Sequence, residues 1–464
     1  MAMATKKSKY EMMTQGKIPA IVSRLALPSI VSVLITSIYN LADTAFVGKI
    51  STQATGAVGV VFAYMSLIQA FAFFFGHGAG NFISRALGAK EEGKAESMAA
   101  NGFVSCFIAG LLFMIVGLVF MDPLLRLMGA TETILPDARS YFLYIAIASP
   151  FIMTSLVLNN LMRFQGNAAM SMIGILAGAV LNIGLDPLFI FVFDMGVGGA
   201  GLATMISQIV SWGLLLILER QRGGIPIRLK LYHPTWCEAK EIIAGGVPSL
   251  GRQGLMALSS VLLNNAASIY MDIEQVDSAI AAFSVASRAL TFASSIIIGF
   301  GQGFQPVCGF NYGAKRPDRV IKAFWFAVGV GTGYALIVSL VGYLFAPEII
   351  ALFRKEDALL IEIGAETLRF SCIAFTVSAF TTVSGMFLQA VNYAVPATLV
   401  SASRSGLFYV PFLFIFGSAF GRTGLCLTQM AGDLAAFVFA IPFLIYGSAR
   451  MKKTLNKPAN PQNN

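Results

Sequence analysis

Charged residues are scarce in this chain, and their scarcity excludes an ordinary soluble globular protein. Only 12% of the 464 residues are Asp, Glu, Lys or Arg, whereas 56% are apolar and the mean hydropathy is +0.75. Soluble domains contain about 25% charged residues. His and Cys are also rare, at two and five residues, and the Cys residues are far apart along the chain. Their spacing indicates neither a metal site nor a disulfide framework.

Long apolar runs recur along the whole chain, and they predict an all-α integral membrane protein. The runs are long enough for helices of roughly 20 residues or more that cross a bilayer, and they do not alternate as the strands of a membrane barrel would. We therefore predict twelve transmembrane helices. The predicted spans are 20–46, 55–87, 97–121, 136–163, 169–193, 199–220, 240–271, 278–312, 320–346, 359–391, 395–418 and 423–448.

The net charge of +9 is explained by topology and does not indicate nucleic-acid binding. If alternate loops are assigned to opposite sides of the membrane, one side carries 22 Lys and Arg residues and the other carries six. Cytoplasmic loops are enriched in Lys and Arg, so both termini are predicted to be cytoplasmic. A multi-pass protein of the cell membrane, without a cleaved signal segment, is the expectation.

The chain also contains an internal repeat. The segment GHGAGNFISRALGAK (Gly76–Lys90) aligns with GQGFQPVCGFNYGAK (Gly301–Lys315) at an offset of 225, with five identical positions. Two lobes of six helices each, related by a pseudo-two-fold axis along the membrane normal, are therefore predicted, as in alternating-access transporters. The predicted segments are a cytoplasmic tail (1–19), an N-lobe (20–220), a cytoplasmic linker (221–239), a C-lobe (240–449) and a second cytoplasmic tail (450–464).

Three acidic residues fall inside the predicted spans: Asp43, Asp186 and Asp433. A charge near the centre of a bilayer costs roughly 2.5–3.5 kcal/mol on insertion scales, so each carboxylate requires a partner or a task. From the helical rise, Asp43 and Asp186 reach similar depths in the outer leaflet. Asn182 lies one turn below Asp186, and Thr204 lies close to the same depth on the following span.

These oxygen-bearing side chains predict a cation site in the N-lobe. Tyr39 and Asn40 share a helix face with Asp43, whereas Asn182 and Asp186 are neighbours at i, i+4 on their own helix. Carboxylate, amide and hydroxyl oxygens are hard ligands that suit Na⁺, and a carboxylate pair can instead share a proton. The predicted ligands are Asp43, Asn182, Asp186 and Thr204, with Tyr39 and Asn40 beside them. The alternative is that these polar groups only join one helix to another.

The C-lobe carries a different set of charges. Arg288, Arg404 and Asp433 are predicted to be buried, with Arg404 and Asp433 as an ion pair that either clamps the lobe or recognises substrate. A substrate cavity lined by apolar, aromatic and amide side chains would suit bulky organic cations. The candidates for its lining are Tyr39, Asn159, Met205, Met256 and Gln389.

At this point the sequence resembles a known family. PSIVSVLITSIYNLADTAFVG, NIGLDPLFIF with MGVGGAGLATMISQ, and the repeated GAK segments resemble the MATE (multidrug and toxic compound extrusion) transporters, on their DinF/MepA-like side. The likeness covers essentially the whole chain. It implies an antiporter that exports cationic amphipathic compounds against an inward flow of Na⁺ or H⁺. The cation site of the family falls here on Asp43, Asn182, Asp186 and Thr204.

Other classes of function fit the sequence less well. Gly88–Ala95 resembles a phosphate-binding loop, but Ala95 stands where Ser or Thr is required and the segment follows a membrane span. We expect no enzyme activity and no cofactor apart from the coupling Na⁺ or H⁺. The expected partners are small organic cations and membrane lipid, without nucleic acid, and the chain is expected to be a monomer. A lipid-linked oligosaccharide flippase of the same superfamily is the alternative function, and a channel or receptor-like membrane protein is the rival class.

Overall fold

The structure is a computed structural model that describes residues 2–221, 224–271, 273–352 and 357–455. Helices dominate these residues, and no strand occurs among them. The first eight α-helices are α1 (Ala2–Gln15), α2 (Ile18–Gly48), α3 (Thr52–Gly88), α4 (Glu92–Val119), α5 (Met121–Leu127), α6 (Leu135–Phe164), α7 (Ala168–Pro187) and α8 (Gly196–Gln221). The others are α9 (Trp236–Tyr270), α10 (Ile273–Gly313), α11 (Pro317–Leu344), α12 (Ala346–Ala351), α13 (Ala358–Ala390), α14 (Ala394–Ala402) and α15 (Tyr409–Leu455).

The all-α membrane architecture predicted from the sequence is confirmed. Ten segments of the described residues are long and apolar enough to cross a membrane. The predicted span at 240–271 corresponds to α9, which is not among the ten. The segment Ala394–Leu455 counts as one of the ten, but it contains both of the last two predicted spans. Many large apolar side chains are exposed, including Val119, Leu340 and Val438, as expected for a surface that faces lipid.

The last two spans are separated at Gly421, where the backbone leaves the helical region with φ 54° and ψ −126°. A residue with a side chain rarely adopts this conformation. Gly196, which lies 225 positions earlier and begins α8, also has φ 54°. The two turns are therefore equivalent in the two halves of the chain.

The repeat is visible in a second pair of turns. Lys90 and Lys315 both have positive φ, at 63° and 55°, directly after the helices that contain the two repeated segments. In both places the following residue donates a hydrogen bond to a carbonyl five positions earlier, from Glu91 to Ala86 and from Arg316 to Asn311. This backbone arrangement is a Schellman-type helix end. The aligned sequences thus form the same local structure.

Contacts divide the described residues into two compact units. The N-terminal unit lies within Met1–Gly16 and Arg24–Leu250, and the C-terminal unit lies within Lys17–Ser23 and Gly251–Asn464. In the N-terminal unit, α6 packs against α3, α4 and α8, and buries Tyr141 and Phe142. In the C-terminal unit, α13 packs against α10, α11 and α15. Most of the apolar stretches of α6 and α13 are buried, so each of these helices forms the centre of its unit.

Several element boundaries differ from the predicted segments. The tail predicted at 1–19 contains α1, and α2 already begins at Ile18. The predicted linker at 221–239 contains a short 3₁₀ turn, Leu229–Leu231, and the start of α9. At the other end, α15 continues to Leu455, past the predicted end of the C-lobe at 449. Residues 222–223 of the linker and 456–464 of the C-terminal tail lie outside the described residues.

Candidate cation-binding site of the N-terminal unit

Four helices of the N-terminal unit bring polar side chains together around Asp43. Asp43 lies near the end of α2 and is only 7% exposed. The hydroxyl of Tyr141 on α6 donates a hydrogen bond to Asp43 Oδ2 at 3.0 Å. Tyr39, one turn earlier on α2, is buried on the same side of the helix as Asp43. Asn40 is partly buried beside them.

The second half of the site is a chain of hydrogen bonds between α7 and α8. Asn182 Nδ2 donates to Asp186 Oδ1 at 3.2 Å and lies 3.3 Å from Thr204 Oγ1. Asp186 is fully buried, and Asn182 and Thr204 are each 2% exposed. The two carboxylates are close enough to interact electrostatically. The structure therefore brings Asp43, Asn182, Asp186 and Thr204 into one buried cluster.

Three oxygen atoms of this cluster are buried without a hydrogen-bond partner among the described residues. They are Asp43 Oδ1, Asn182 Oδ1 and Asp186 Oδ2. A buried polar atom without a partner is costly, and a buried charge is costlier still. Two carboxylates and an amide oxygen form a set of hard ligands that fits a monovalent cation such as Na⁺ or a shared proton. The residues present thus suit a small cation of this kind.

The end of α7 has an irregular backbone next to this cluster. Pro187, which follows Asp186, lacks a backbone N–H, and residues Leu188–Val192 form a π-helical turn. In this turn the N–H of Phe193 donates to the Leu188 carbonyl at 3.0 Å, five residues earlier. Single π-turns inside helices occur frequently at functional sites. Here the turn lies within one helical turn of Asp186.

The candidate substrate residues divide between the two units, with Tyr39, Asn159 and Met205 in the N-terminal unit and Met256 and Gln389 in the C-terminal unit. Asn159 is buried and donates to the Ser171 carbonyl at 3.1 Å, and Met205 packs against the core of the N-terminal unit. In the C-terminal unit, Gln389 is buried and accepts a hydrogen bond from Gln305 at 2.9 Å. Met256 is 41% exposed and lines a cavity of that unit. Tyr39 lies one turn from Asp43, and Met205 directly follows Thr204, so these two candidates adjoin the buried cluster.

The buried charges of the C-terminal unit differ in part from expectation. Arg404 contacts Asp433 through two hydrogen bonds, from Nε to Oδ1 at 2.7 Å and from Nη2 to Oδ2 at 3.3 Å. Asp433 is buried, and the Arg404 side chain is 26% exposed. The prediction that Arg288 is buried is wrong, because its side chain is exposed. Position 288 lies about 200° around α10 from Ala286, which faces the core, so Arg288 points away from it.

Two polar residues, Tyr141 near the cation site and Arg252 in the C-terminal unit, were not predicted from the sequence. Tyr141 contacts Asp43 across 98 positions, and nothing in its local sequence indicates this partner. Arg252 on α9 lines the same cavity as Arg404 and Asp433. A positive charge inside a predicted span was the available signal for Arg252, since such residues are rare and functional in membranes.

The fold and the buried ionisable cluster define a polytopic helical membrane protein built from two related units. The MatE family profile matches residues 28–188 and 255–415, one match in each half of the repeat. Because these matches cover more than half of the sequence, the chain belongs to the MATE family of transporters.

Known proteins of this family match over nearly the whole length. The chain is 28% identical to the multidrug export protein MepA of Staphylococcus aureus (strain N315), over 86% of this chain and 87% of MepA. It is 26% identical to MepA of Staphylococcus haemolyticus (strain JCSC1435), over 93% and 94%. An outward-facing multidrug resistance MATE family transporter of the MOP superfamily superposes with a TM-score of 0.88 at 25% identity, over 97% and 99% of the two chains. A MOP superfamily transporter from Pyrococcus furiosus superposes equally well at 26% identity.

Proposed function

We propose that this chain is an antiporter that exports cationic amphipathic compounds across the cytoplasmic membrane and is driven by Na⁺ or H⁺. The similarity to MepA, a multidrug export protein, supports the export of several compounds. The cluster of buried oxygens on Asp43, Asn182 and Asp186 supports the coupling to a cation, and it is the observation that carries the proposal.

The geometry suggests how a cation would act on the protein. With both carboxylates charged, Asp43 and Asp186 repel each other inside a poorly solvated cluster. A bound Na⁺ or proton removes this repulsion and satisfies oxygens that the protein leaves without a partner. The cation therefore stabilises the conformation in which the four ligands converge. Binding to one conformation more tightly than to another is what couples an ion to a conformational equilibrium.

Two hydrogen-bond donors hold the ligands in place. Tyr141 orients Asp43 from α6, and Asn182 orients Asp186 while reaching Thr204 on α8. Movement of α7 or α8 relative to α2 would separate the ligands and weaken the ion site. Such movement is how a gradient would bias an alternating-access cycle.

The test is transport by purified protein in proteoliposomes, with the Na⁺ gradient and the pH gradient imposed separately. A fluorescent organic cation should accumulate on the side from which the coupling cation leaves, and only when one of the two gradients is present. Uptake that proceeds equally without either gradient would contradict antiport.

A further inference from the structure

The C-terminal unit contains a cavity of about 200 Å³, and none of its lining residues belongs to the cation site. Residues of α9, α10, α13, α14 and α15 line it, together with the π-helical turn Ser403–Leu407. Three charged side chains face this cavity: Arg252, Arg404 and Asp433. The cavity therefore combines two positive charges with one negative charge.

The single carboxylate is already fully engaged. Asp433 Oδ1 accepts hydrogen bonds from Arg404 Nε at 2.7 Å and from Gln429 Nε2 at 3.0 Å, and Oδ2 accepts from Arg404 Nη2. Arg252 forms no ion pair with any residue in the part of the chain that the structure describes. Its guanidinium also lies close enough to that of Arg404 for the two to repel each other. One positive charge in the cavity is left without compensation.

The polar groups that surround this charge are mostly hydroxyls. Ser and Thr side chains from four helices line the cavity, including Ser287, Thr382 and Ser401. The Ser371 hydroxyl is buried at 2% exposure and has no hydrogen-bond partner among the described residues. Hydroxyl and guanidinium groups donate hydrogen bonds to anionic oxygens, and a guanidinium binds a carboxylate in a bidentate manner.

The π-helical turn Ser403–Leu407 forms part of the wall of this cavity. Arg404 belongs to the π-helical turn, in which Phe408 N–H donates to the Ser403 carbonyl at 3.2 Å. Apolar side chains complete the lining, among them Met256, Leu263 and Phe375. An anion with an apolar body would therefore find both charge complementarity and dispersion contacts, which a small inorganic ion would not.

We propose that this cavity is a subsite for the carboxylate of an amphipathic compound, with Arg252 as the principal anion-binding residue and the hydroxyls as further donors. The compounds carried would then include zwitterions, whose cationic part is not held by this subsite. The identification of the occupant as cargo rests on the proposed transport function. The binding of the carboxylate does not rest on that function, because it is measured without any ion gradient. A loss of ion coupling can therefore be distinguished from a loss of carboxylate binding at this subsite.

The probes are a rhodamine dye with a free carboxylate and the methyl ester of the same dye, which differ only in the anionic group. Binding of both to the full-length protein in nanodiscs is followed by fluorescence polarisation. In Arg252→Gln the dissociation constant of the free-carboxylate dye should rise about tenfold, the loss expected for one charge-assisted hydrogen bond. The ester should change by less than about twofold. Arg252→Lys keeps the positive charge but loses the bidentate fork, so it should retain only part of the preference for the free carboxylate.

Arg288→Gln is the matched control, because Arg288 is an exposed arginine of the same unit outside the cavity lining. This variant should leave the binding of both dyes unchanged. Equal weakening of both dyes by Arg252→Gln, or no change in either, would overturn the proposal. If Arg252→Gln does not fold, competition on the unaltered chain decides: naphthalene carboxylate should displace the free-carboxylate dye, whereas neutral naphthalene carboxamide should not. Equal displacement by the two competitors would also overturn it.

Discussion

The Tyr141 hydroxyl donates a hydrogen bond to Asp43 in the interior of the N-terminal unit. This bond joins α6, the central helix of that unit, to the cluster formed by Asp43, Asn182, Asp186 and Thr204. Because the other oxygen of Asp43 has no partner among the described residues, the tyrosine holds one carboxylate oxygen and leaves the second one available. The relationship makes Tyr141 a positioning residue for the proposed coupling ion.

The variant Tyr141→Phe removes this donor and keeps the ring. The hydrogen bond favours the charged carboxylate, and bonds to charged groups contribute about 1.5–3 kcal/mol. Without it the neutral, protonated carboxyl is favoured, so in proton-driven transport the half-saturating proton concentration should fall by about ten- to hundredfold. The measurement is the initial transport rate in proteoliposomes against pH. Tyr144→Phe, in the next turn of α6, is the control and should leave the profile unchanged.

Neutralising the cluster should abolish gradient-driven transport. In Asp43→Asn and Asp186→Asn the amide keeps the shape of the side chain but cannot carry the charge that a cation requires. We expect both variants to bind an organic cation in detergent and yet to show no dependence of uptake on either gradient. Asp194→Asn serves as the control, since Asp194 is exposed and has a positive φ of 52° that Asn tolerates. Coupled transport that persists in both cluster variants would refute the site.

The pair formed by Arg404 and Asp433 should be needed for stability. Removing one partner of a buried ion pair costs about 3–5 kcal/mol because the other charge stays behind. Arg404→Asp and Asp433→Arg should each lower the unfolding temperature measured by size-exclusion chromatography after heating. The double variant with exchanged charges should recover much of the loss. If the double variant is as unstable as the two losses combined, the contact does not stabilise the unit.

Replacing Gly421 by a residue with a side chain should destabilise the protein. A side chain at its φ of 54° and ψ of −126° introduces strain of about 1–3 kcal/mol, so Gly421→Ala should lower the unfolding temperature. Gly329 lies within α11, and no neighbouring atom lies within 4 Å of a Cβ placed there. Gly329→Ala should therefore be neutral or slightly stabilising. The same effect for both substitutions would show that the turn at Gly421 tolerates a side chain.

The predicted orientation can be tested with a native cysteine. Cys237 is exposed near the start of α9, whereas Cys106, Cys308, Cys372 and Cys426 are buried. A membrane-impermeant maleimide should label the chain in inside-out vesicles and fail to do so in intact cells, with Cys237→Ser as the unlabelled control. Labelling in intact cells would place this segment outside and reverse the predicted topology.

Several features of this protein could be read from its sequence because they depend on local spacing. The length of the apolar runs determines the membrane helices, and the offset of 225 between Gly76 and Gly301 determines the repeat. The separation of Asn182 and Asp186 by four residues places them on one face of a helix in any packing. The cost of a charge in lipid singles out Asp43 and Asp186 before any contact is known.

Only the tertiary structure decided how the helices are rotated against one another. Tyr141 and Asp43, 98 positions apart, meet because α2 and α6 present these faces to each other, and Arg288 is exposed because α10 turns its opposite face to the core. Arg252, Arg404 and Asp433 share a cavity although they lie on three different segments. Periodicity specifies which residues share a face, but the packing of many side chains selects the partner that the face meets.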